Sequence, residues 1–294
     1  MNAQQLMQPK YRLVAIDLDD TLLNKDLKIS PRTKANIIAA RQLGTQITLA
    51  TGRMFRSALP YAEQLGLDIP LITYPGAVVK NSRSGEVLYH RPVPPELVRP
   101  VAERVRSYGY HLQMYFEDHL CMEKLTPEGQ DYVDLAGVEV TLVSDLLCAC
   151  PEPTKILISN YDEGRLDRLA EVLQAEFGQK LYITKSKPYY LELLHPEATK
   201  GKALKVLADH FGIPQEAVIA IGDSFNDVDM IRFAGVGVVM GNAREEIKAE
   251  ADYVTRSNED DGVAEVLEKF ILGKGPAERE WGAGAERAAN SLSF

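Results

Sequence analysis

Hydrophobic positions follow two alternating patterns in the first part of the chain. Short apolar runs, of which residues 13–16 are the first, alternate with segments whose apolar side chains recur at helical spacing. Ser30 and Pro31 are typical of a helix start, and Gly44 can end that helix before the next apolar run. Because strands that alternate with helices build parallel sheets, the pattern predicts a Rossmann-like, doubly wound parallel α/β core.

The pattern changes between residues 83 and 187, where polar positions alternate with apolar ones inside the predicted strands. That alternation is typical of a sheet with one solvated face. Two helices are also predicted, one at about 95–108 and one around the apolar stripe from Leu166 to Phe177. The predicted strands lie at 87–89, 111–116, 138–143 and 155–159. We therefore expect an α+β domain here.

The order of the two patterns predicts a discontinuous domain organisation. The doubly wound pattern returns from residue 188, so the α+β domain at 83–187 is expected to be inserted into a core formed by 1–82 and 188–272. Residues 273–294 contain several glycines and the only tryptophan, Trp281, and we expect them to form a mobile C-terminal extension.

Composition and charge exclude several classes of protein. Apolar residues make up 45% and charged residues 26% of the 294 residues, which is typical of a folded globular chain. The 33 Lys and Arg against 42 Asp and Glu give a net charge of −9 without a basic stripe, so nucleic acid is not an expected partner. No apolar stretch is long enough to span a bilayer and no signal-peptide pattern opens the chain, so we expect a cytoplasmic protein without a membrane partner. The three cysteines form neither a zinc motif nor a disulfide framework, and no pattern bears on oligomeric state.

Three of the predicted core strands end in polar side chains. Asp17, Thr51 and Asp223 each follow an apolar run, and Asp19 comes two residues after Asp17. Because the carboxyl ends of parallel strands lie along one edge of a sheet, these side chains are expected to meet there. Carboxylates in one place repel each other unless protons or a cation intervene, and Mg²⁺ prefers oxygen ligands together with a substrate phosphate. The strand ends therefore predict a magnesium site.

Two helix starts suggest an anion at the same edge. Lys200 lies in the first turn of a predicted helix, where it opposes the positive end of the helix dipole, so an anionic group is expected nearby. Thr51, Gly52 and Arg53 lead into another helix start, whose hydroxyl and free N–H groups suit a phosphate. Each feature is common on its own, but the ordered set indicates a phosphoryl-transfer site.

These motifs together resemble the haloacid dehalogenase-like hydrolases, specifically the Cof-type, sugar-phosphatase-like branch that carries an inserted α/β cap domain. The resemblance covers about residues 11–271. The motifs that carry it are Asp17-Leu-Asp19-Asp20-Thr21-Leu22, Thr51-Gly52-Arg53, Lys200-Gly201-Lys202-Ala203-Leu204, Gly222-Asp223-Ser-Phe-Asn226-Asp227 and the segment from Ala234 to Ala243. One departure is Tyr74-Pro75-Gly76-Ala77, because such proteins usually have Asn before Gly-Ala.

The resemblance implies a Mg²⁺-dependent phosphomonoester phosphatase that acts on a small phosphorylated metabolite, such as a sugar phosphate, through an aspartyl-phosphate intermediate. It implies the following roles: Asp17 as nucleophile, Asp19 as general acid and base, Thr51, Gly52 and Lys200 as phosphate-binding residues, and Mg²⁺ held by Asp17, the backbone carbonyl of Asp19, and Asp223. Asn226 and Asp227 are expected to hold the metal ligands in place, and Arg53 and His195 are candidate substrate contacts.

Two other functions use similar residues. A phosphomutase of the same superfamily begins with the same aspartyl-phosphate and passes the phosphoryl group to a second hydroxyl. A phosphoacceptor signalling module also combines an acidic cluster, a Thr and a Lys on a doubly wound sheet, but such modules are about half the size of this core and lack an inserted domain. The phosphatase remains the favoured interpretation.

Overall fold

The computed structural model describes residues 9–273, so the predicted extension after residue 273 lies outside the described residues. The first group of elements is β1 (Leu13–Ile16), α1 (Pro31–Gln42), β2 (Gln46–Leu49), α2 (Phe55–Gln64), β3 (Pro70–Thr73), β4 (Val78–Asn81) and β5 (Val87–His90). The second is α3 (Pro95–Tyr108), β6 (His111–Phe116), β7 (His119–Met122), α4 (Pro127–Ala136), β8 (Val140–Leu142), α5 (Leu146–Ala149), β9 (Lys155–Ser159), α6 (Glu163–Phe177), β10 (Tyr182–Lys187) and β11 (Tyr190–Leu194). The third is α7 (Lys200–His210), β12 (Val218–Gly222), α8 (Val228–Phe233), β13 (Val236–Val239), α9 (Glu245–Lys248), β14 (Tyr253–Val254) and α10 (Gly262–Phe270).

The core is a parallel sheet of five strands in the order β14-β13-β12-β1-β2. The central strands β1 and β12 are buried along their whole length, which explains why they appear in the sequence as unbroken apolar runs. Helix α1 packs against α10, and α7 packs against α8. This arrangement confirms the doubly wound parallel α/β core, and it places the carboxyl ends of all five strands at one edge.

Helix α1 begins where the sequence predicts. The hydroxyl of Ser30 accepts a hydrogen bond from Thr33 N at 3.1 Å, and Pro31 occupies the first helical position. Gly44 lies after the helix with φ of 92°, a left-handed conformation that glycine adopts without strain. The chain can therefore turn sharply from α1 into β2.

A small antiparallel sheet, β3-β4-β5, extends the core. A parallel bridge between Ala50 and Ile72 joins it to the end of β2. Strand β5, which the sequence analysis placed in the inserted domain, pairs with β4 through Val78 with His90 and Val79 with Tyr89. This pairing favours a place for β5 beside the core, because the alternation of polar and apolar residues predicts a strand but not the strand with which it pairs.

The inserted domain is built on a six-stranded sheet in the order β10-β11-β9-β6-β7-β8. Adjacent strands in this sheet are antiparallel, except that β7 and β8 are parallel. Strands β10 and β11 form one hairpin in this sheet, so the expected boundary between residues 187 and 188 cuts through the hairpin. We propose that the insert, called the cap below, runs from about residue 91 to residue 194.

The two faces of the cap sheet differ in what they contact. One face packs against α3 and α6, and the predicted stripe from Leu166 to Phe177 lies in this apolar cluster. The other face carries α4 and contributes Tyr115, Leu157 and Tyr190 to the same apolar cluster as the core. The cap is therefore an α+β domain with one sheet face turned towards the core. The hydrophobic pattern predicts neither α4 nor α5.

Candidate active site

Two of the three predicted strand ends meet in an acidic cluster. Carboxylate oxygens of Asp17, Asp223 and Asp227 lie within 4.8 Å of one another. Asp17 follows β1, and the other two lie in the turn between β12 and α8, so the neighbouring strands β1 and β12 bring the cluster together. Thr51, which is fully buried, follows β2 on the other side of β1. The predicted juxtaposition of Asp17 and Asp223 at the sheet edge is present.

Lys200 lies inside this cluster. Its side chain is only 1% exposed, and its Nζ donates to Asp17 Oδ1 at 2.6 Å and to Asp227 Oδ1 at 2.6 Å. Burial lowers the pKa of Lys200, but the two carboxylates outweigh burial and raise the pKa above its usual value. Lys200 is therefore a fixed positive charge beside Asp17 at every physiological pH.

Asp227 holds the turn and the lysine together. Its Oδ2 accepts from Asp223 N at 3.1 Å, Ser224 N at 3.0 Å and Ser224 Oγ at 3.1 Å, while its Oδ1 accepts from Lys200. A Cβ on Gly222 would lie 2.5 Å from the Asp227 side chain, so this close approach requires glycine. Because both oxygens of Asp227 are occupied, it is placed to support other residues of the cluster.

Asp17 and Asp223 are the carboxylates left to bind a cation. Within residues 9–273, Oδ2 of neither side chain takes part in a hydrogen bond, whereas Asp223 Oδ1 accepts from Thr21 Oγ1 at 3.0 Å. Burial raises the pKa of Asp17 well above its usual value; Lys200 opposes this rise, and Asp227 and Asp223 add to it. Burial and then Asp227 raise the pKa of Asp223 to about 7. Burial and the neighbouring carboxylates disfavour the charged forms of Asp17 and Asp223, and a hard divalent cation such as Mg²⁺ would stabilise those forms.

Arg53 holds Asp19 at the edge of the site. Its Nε donates to Asp19 Oδ2 at 2.9 Å and its Nη2 donates to Asp19 Oδ1 at 2.6 Å. This two-bonded arrangement fixes the carboxylate plane, although the Asp19 side chain is 46% exposed. Thr51 Oγ1 accepts from Arg53 N at 3.1 Å, so Arg53 links Asp19 to the segment that is expected to bind phosphate. The candidate substrate contact Arg53 thus touches the expected general acid.

The loop that departs from the family pattern packs directly against the start of α7. Gly76 has φ of 104°, and a Cβ there would lie 2.2 Å from the carbonyl oxygen of Thr199, the residue before Lys200. Pro75 lies beside Gly52, since a Cβ on that glycine would be 3.8 Å from the proline ring. The loop therefore packs against both segments that are expected to bind phosphate, even though Pro75 replaces the usual Asn.

Two predicted site residues have less central places. The Nδ1 of His195 accepts from Glu197 N at 3.0 Å, and no hydrogen bond among the described residues joins His195 to the acidic cluster. Burial lowers the pKa of His195, so its ring is neutral at pH 7. Asn226 Oδ1 accepts from Ser224 Oγ at 2.7 Å and steadies the same turn as Asp227.

Three residues that shape the site have no role predicted from the sequence. Thr21 binds Asp223, and its place four residues after Asp17 could have indicated this. Asp229 Oδ2 accepts from Gly201 N at 2.9 Å and so caps the first turn of α7. Asp118, in the turn between β6 and β7, contacts the core at α2. No signal in the sequence indicated that last contact, because strand β7 was not predicted.

Comparisons with known proteins agree with this geometry. The family model described as haloacid dehalogenase-like hydrolase matches residues 14–267. A haloacid dehalogenase-like hydrolase from Bacteroides thetaiotaomicron has a solved structure that superposes with a TM-score of 0.82 at 34% identity, covering 88% of this chain and 99% of that one. The chain belongs to the haloacid dehalogenase-like hydrolases. The protein is accordingly an enzyme, and its relatives identify it as a phosphatase.

Two further relatives carry substrate names. One is the 5-amino-6-(5-phospho-D-ribitylamino)uracil phosphatase YitU of Bacillus subtilis (strain 168), 29% identical over 278 residues and covering 90% of this chain and 99% of that protein. The other is a solved structure described as the HAD subclass IIB sugar phosphatase BT4131. It has a TM-score of 0.76 at 26% identity, with 88% of this chain and 98% of that chain covered. Both matches span the core and the cap.

Proposed function

We propose that the protein is a Mg²⁺-dependent phosphomonoester phosphatase that forms an aspartyl-phosphate on Asp17. The observation that carries this proposal is the pairing of Asp17 with the buried Lys200. Lys200 holds Asp17 Oδ1, and Oδ2 is left without a hydrogen bond among the described residues. A carboxylate held by one oxygen, with the other available, is suited to attack phosphorus.

The positions of these side chains support the following proposed reaction. Asp17 Oδ2 forms a bond to phosphorus as the bond between phosphorus and the leaving oxygen breaks, and Asp19 gives that oxygen a proton. Water then attacks phosphorus, Asp19 takes a proton from it, and inorganic phosphate leaves Asp17 free. Lys200 and the backbone N–H of Gly52 stabilise charge on the transferred oxygens, since the N–H of Arg53 already donates to Thr51 Oγ1. Asp19 is protonated before the first step and again after the second, and Arg53, which contacts both of its oxygens, holds the side chain in place as a carboxylate between the two steps.

Mg²⁺ fits the donors that the site offers. Asp17, Asp223 and the backbone carbonyl of Asp19 are the proposed ligands, with Asn226 and Asp227 holding the turn behind them. When bound, the cation neutralises charge between the nucleophile and the phosphate. Thr21 and Asp227 orient Asp223 towards that position through the hydrogen bonds described above.

A cavity of about 330 Å³ in the cap suggests the nature of the leaving group. Its lining residues are Glu128, Asp131, Leu135, Ser159, Asn160, Tyr161, Tyr189 and Tyr190. Ser159 and Tyr190 lie on the same sheet face as Tyr115, and this face is turned towards the core. Tyrosine rings with carboxylates and no Lys or Arg in the lining suit an uncharged ring or polyol better than a second phosphate.

The charges of the cap disfavour the phosphomutase alternative. A mutase must hold a bisphosphate, which calls for clustered arginines without partners. Arg99, Arg104 and Arg106 instead form ion pairs with carboxylates on the cap surface. Water is therefore the proposed acceptor. The inserted cap also disfavours a phosphoacceptor module, which needs no enclosed site.

Phosphate release from a panel of phosphomonoesters tests the proposal. The panel should include sugar phosphates, hexose phosphates among them, because one similar structure is described as a sugar phosphatase. It should also include 5-amino-6-(5-phospho-D-ribitylamino)uracil, for which a relative is named. We expect Mg²⁺-dependent release that EDTA abolishes. Full turnover in EDTA, or conversion of a hexose phosphate to its isomer without phosphate release, would contradict it.

A further inference from the structure

Helix α2 begins without a side-chain cap of its own. Met54 occupies the N-cap position and cannot accept a hydrogen bond there. Ser57 N and Ala58 N already donate to Met54 O at 3.1 Å, which leaves the N–H of Arg56 without a partner in its own helix. A helix with an apolar residue at the N-cap position is usually about 1 kcal/mol less stable than one capped by an acidic or hydroxyl side chain.

The cap supplies the missing acceptor. Asp118 Oδ2 accepts from Arg56 N at 3.0 Å and lies 3.5 Å from Arg56 Nε. Asp118 is 62 residues further along the chain, in the turn between β6 and β7, yet its side chain is only 17% exposed. Its negative charge also lies at the positive end of the α2 dipole. The cap therefore completes a helix of the core.

The other oxygen of Asp118 binds the loop that braces the catalytic lysine. Tyr74 OH donates to Asp118 Oδ1 at 2.7 Å. Burial and then Asp118 raise the pKa of Tyr74 well above its usual value, so the hydroxyl keeps its proton and remains a donor. Two residues later, Gly76 packs against the carbonyl of Thr199 at the start of α7. Asp118 thus joins the cap to two segments that lie next to the expected phosphate-binding residues, the start of α2 just after Thr51 and the loop that packs against α7.

A second polar contact lies on the same turn of α2. Ser57 Oγ donates to the carbonyl oxygen of Ala136, the last residue of α4 in the cap. The first turn of α2 therefore donates to the cap twice, once from a backbone N–H and once from a hydroxyl. Because Arg53 and Thr51 lie just before this turn, cap closure and the phosphate-binding loop share one support.

We propose that Asp118 is a positioning residue that holds the cap closed over the core by capping α2 from the cap side and binding Tyr74. Its effect on turnover rests on the proposed phosphatase function, whereas the contact itself does not. Opening the cap leaves Arg56 N and Tyr74 OH without their acceptor. Removing Asp118 should therefore lower the ratio of closed to open protein about tenfold, which corresponds to about 1.4 kcal/mol.

Amide hydrogen exchange at Arg56 tests the closure directly. Asp118→Ala should accelerate exchange at Arg56 about tenfold or more. Tyr74→Phe leaves the bond between Asp118 and Arg56 intact but removes another contact of the closed form. It should therefore also accelerate exchange at Arg56, which a purely local bond would not do. Glu117→Ala, an exposed neighbour in the same turn, is the control and should leave exchange at Arg56 unchanged.

Kinetics provide the second readout. With an aryl phosphate, Asp118→Ala should lower kcat/KM about tenfold, chiefly through KM, and Asp118→Asn should recover part of the loss because its amide oxygen can still accept from Arg56 N. Unchanged exchange at Arg56 in Tyr74→Phe, together with a kcat/KM within twofold of the parent in Asp118→Ala, would overturn the proposal. Absence of phosphate release by the parent protein would instead contradict the proposed function, and exchange would still decide the role of Asp118.

Discussion

Replacing Lys200 with Met tests how much the buried charge cluster depends on one cation. Lys200 is 1% exposed, and its Nζ lies 2.6 Å from a carboxylate oxygen of Asp17 and 2.6 Å from one of Asp227. Methionine has a similar volume, so the packing of α7 against the core should survive. The variant leaves two buried carboxylates without their shared counter-ion.

The expected loss of stability is large. Removing one partner of a buried ion pair typically costs about 3–5 kcal/mol of unfolding free energy. For a chain of this size each kcal/mol lowers Tm by about 2–4 °C, so Tm should fall by roughly 6–20 °C at pH 8. Burial already raises the pKa of Asp17, and loss of the opposing Lys200 raises it further. Protonation at low pH then relieves the repulsion, so the loss should shrink towards pH 5.

Thermal unfolding at pH 5 and pH 8, without divalent cations, measures both effects. Lys202→Met is the matched control, because Lys202 lies in the same helical turn but is 54% exposed, and its loss should change stability by less than about 0.5 kcal/mol. A Lys200→Met protein as stable as the parent at pH 8, or one equally destabilised at both pH values, would refute this account of the cluster.

Three further predictions follow from the site. Mg²⁺ should raise Tm more at pH 8 than at pH 6. The pKa of Asp223, about 7, lies above its value in the unfolded chain, so its contribution to folding stability is lost as pH rises through 7, and a bound cation offsets that loss. Equal Tm shifts at the two pH values in calorimetry would contradict this. Asp19→Ala should slow hydrolysis of a sugar phosphate more than hydrolysis of an aryl phosphate, because the alkoxide that leaves from the sugar needs a proton and the phenolate needs little help. Equal losses in the two steady-state rates would argue against the acid role. Arg53→Lys should lower kcat/KM about tenfold with little change in Tm, because lysine cannot hold both oxygens of Asp19; parental kinetics would show that the paired geometry is unimportant.

The parts of the fold that could be predicted are those whose signal is local. Buried parallel strands such as β1 and β12 have unbroken apolar sequences, and a polar residue marks the end of each. Since the carboxyl ends of parallel strands share an edge, Asp17 and Asp223 could be placed together before the structure was known. Lys200 could be added because a lysine in the first turn of a helix needs an anion.

The parts that could not be predicted depend on contacts between distant segments. The alternation in β5 predicted a strand, but only its pairing with β4 shows that it extends the core. Asp118 reaches Arg56 across 62 residues, and neither residue carries a pattern that indicates the other. Likewise, the two hydrogen bonds between Arg53 and Asp19 depend on side-chain geometry that spacing cannot reveal.

The central claim is that Asp17 is the nucleophile, and phosphate release by Asp17→Asn tests it most directly. Asparagine keeps the shape and removes a charge that burial penalises, so the variant should unfold at a Tm no lower than that of the parent. With Mg²⁺ and an aryl phosphate, we expect its rate to fall by about 10³-fold or more, because the amide cannot form the phosphorylated intermediate. Release at the parental rate from the folded variant would contradict the claim.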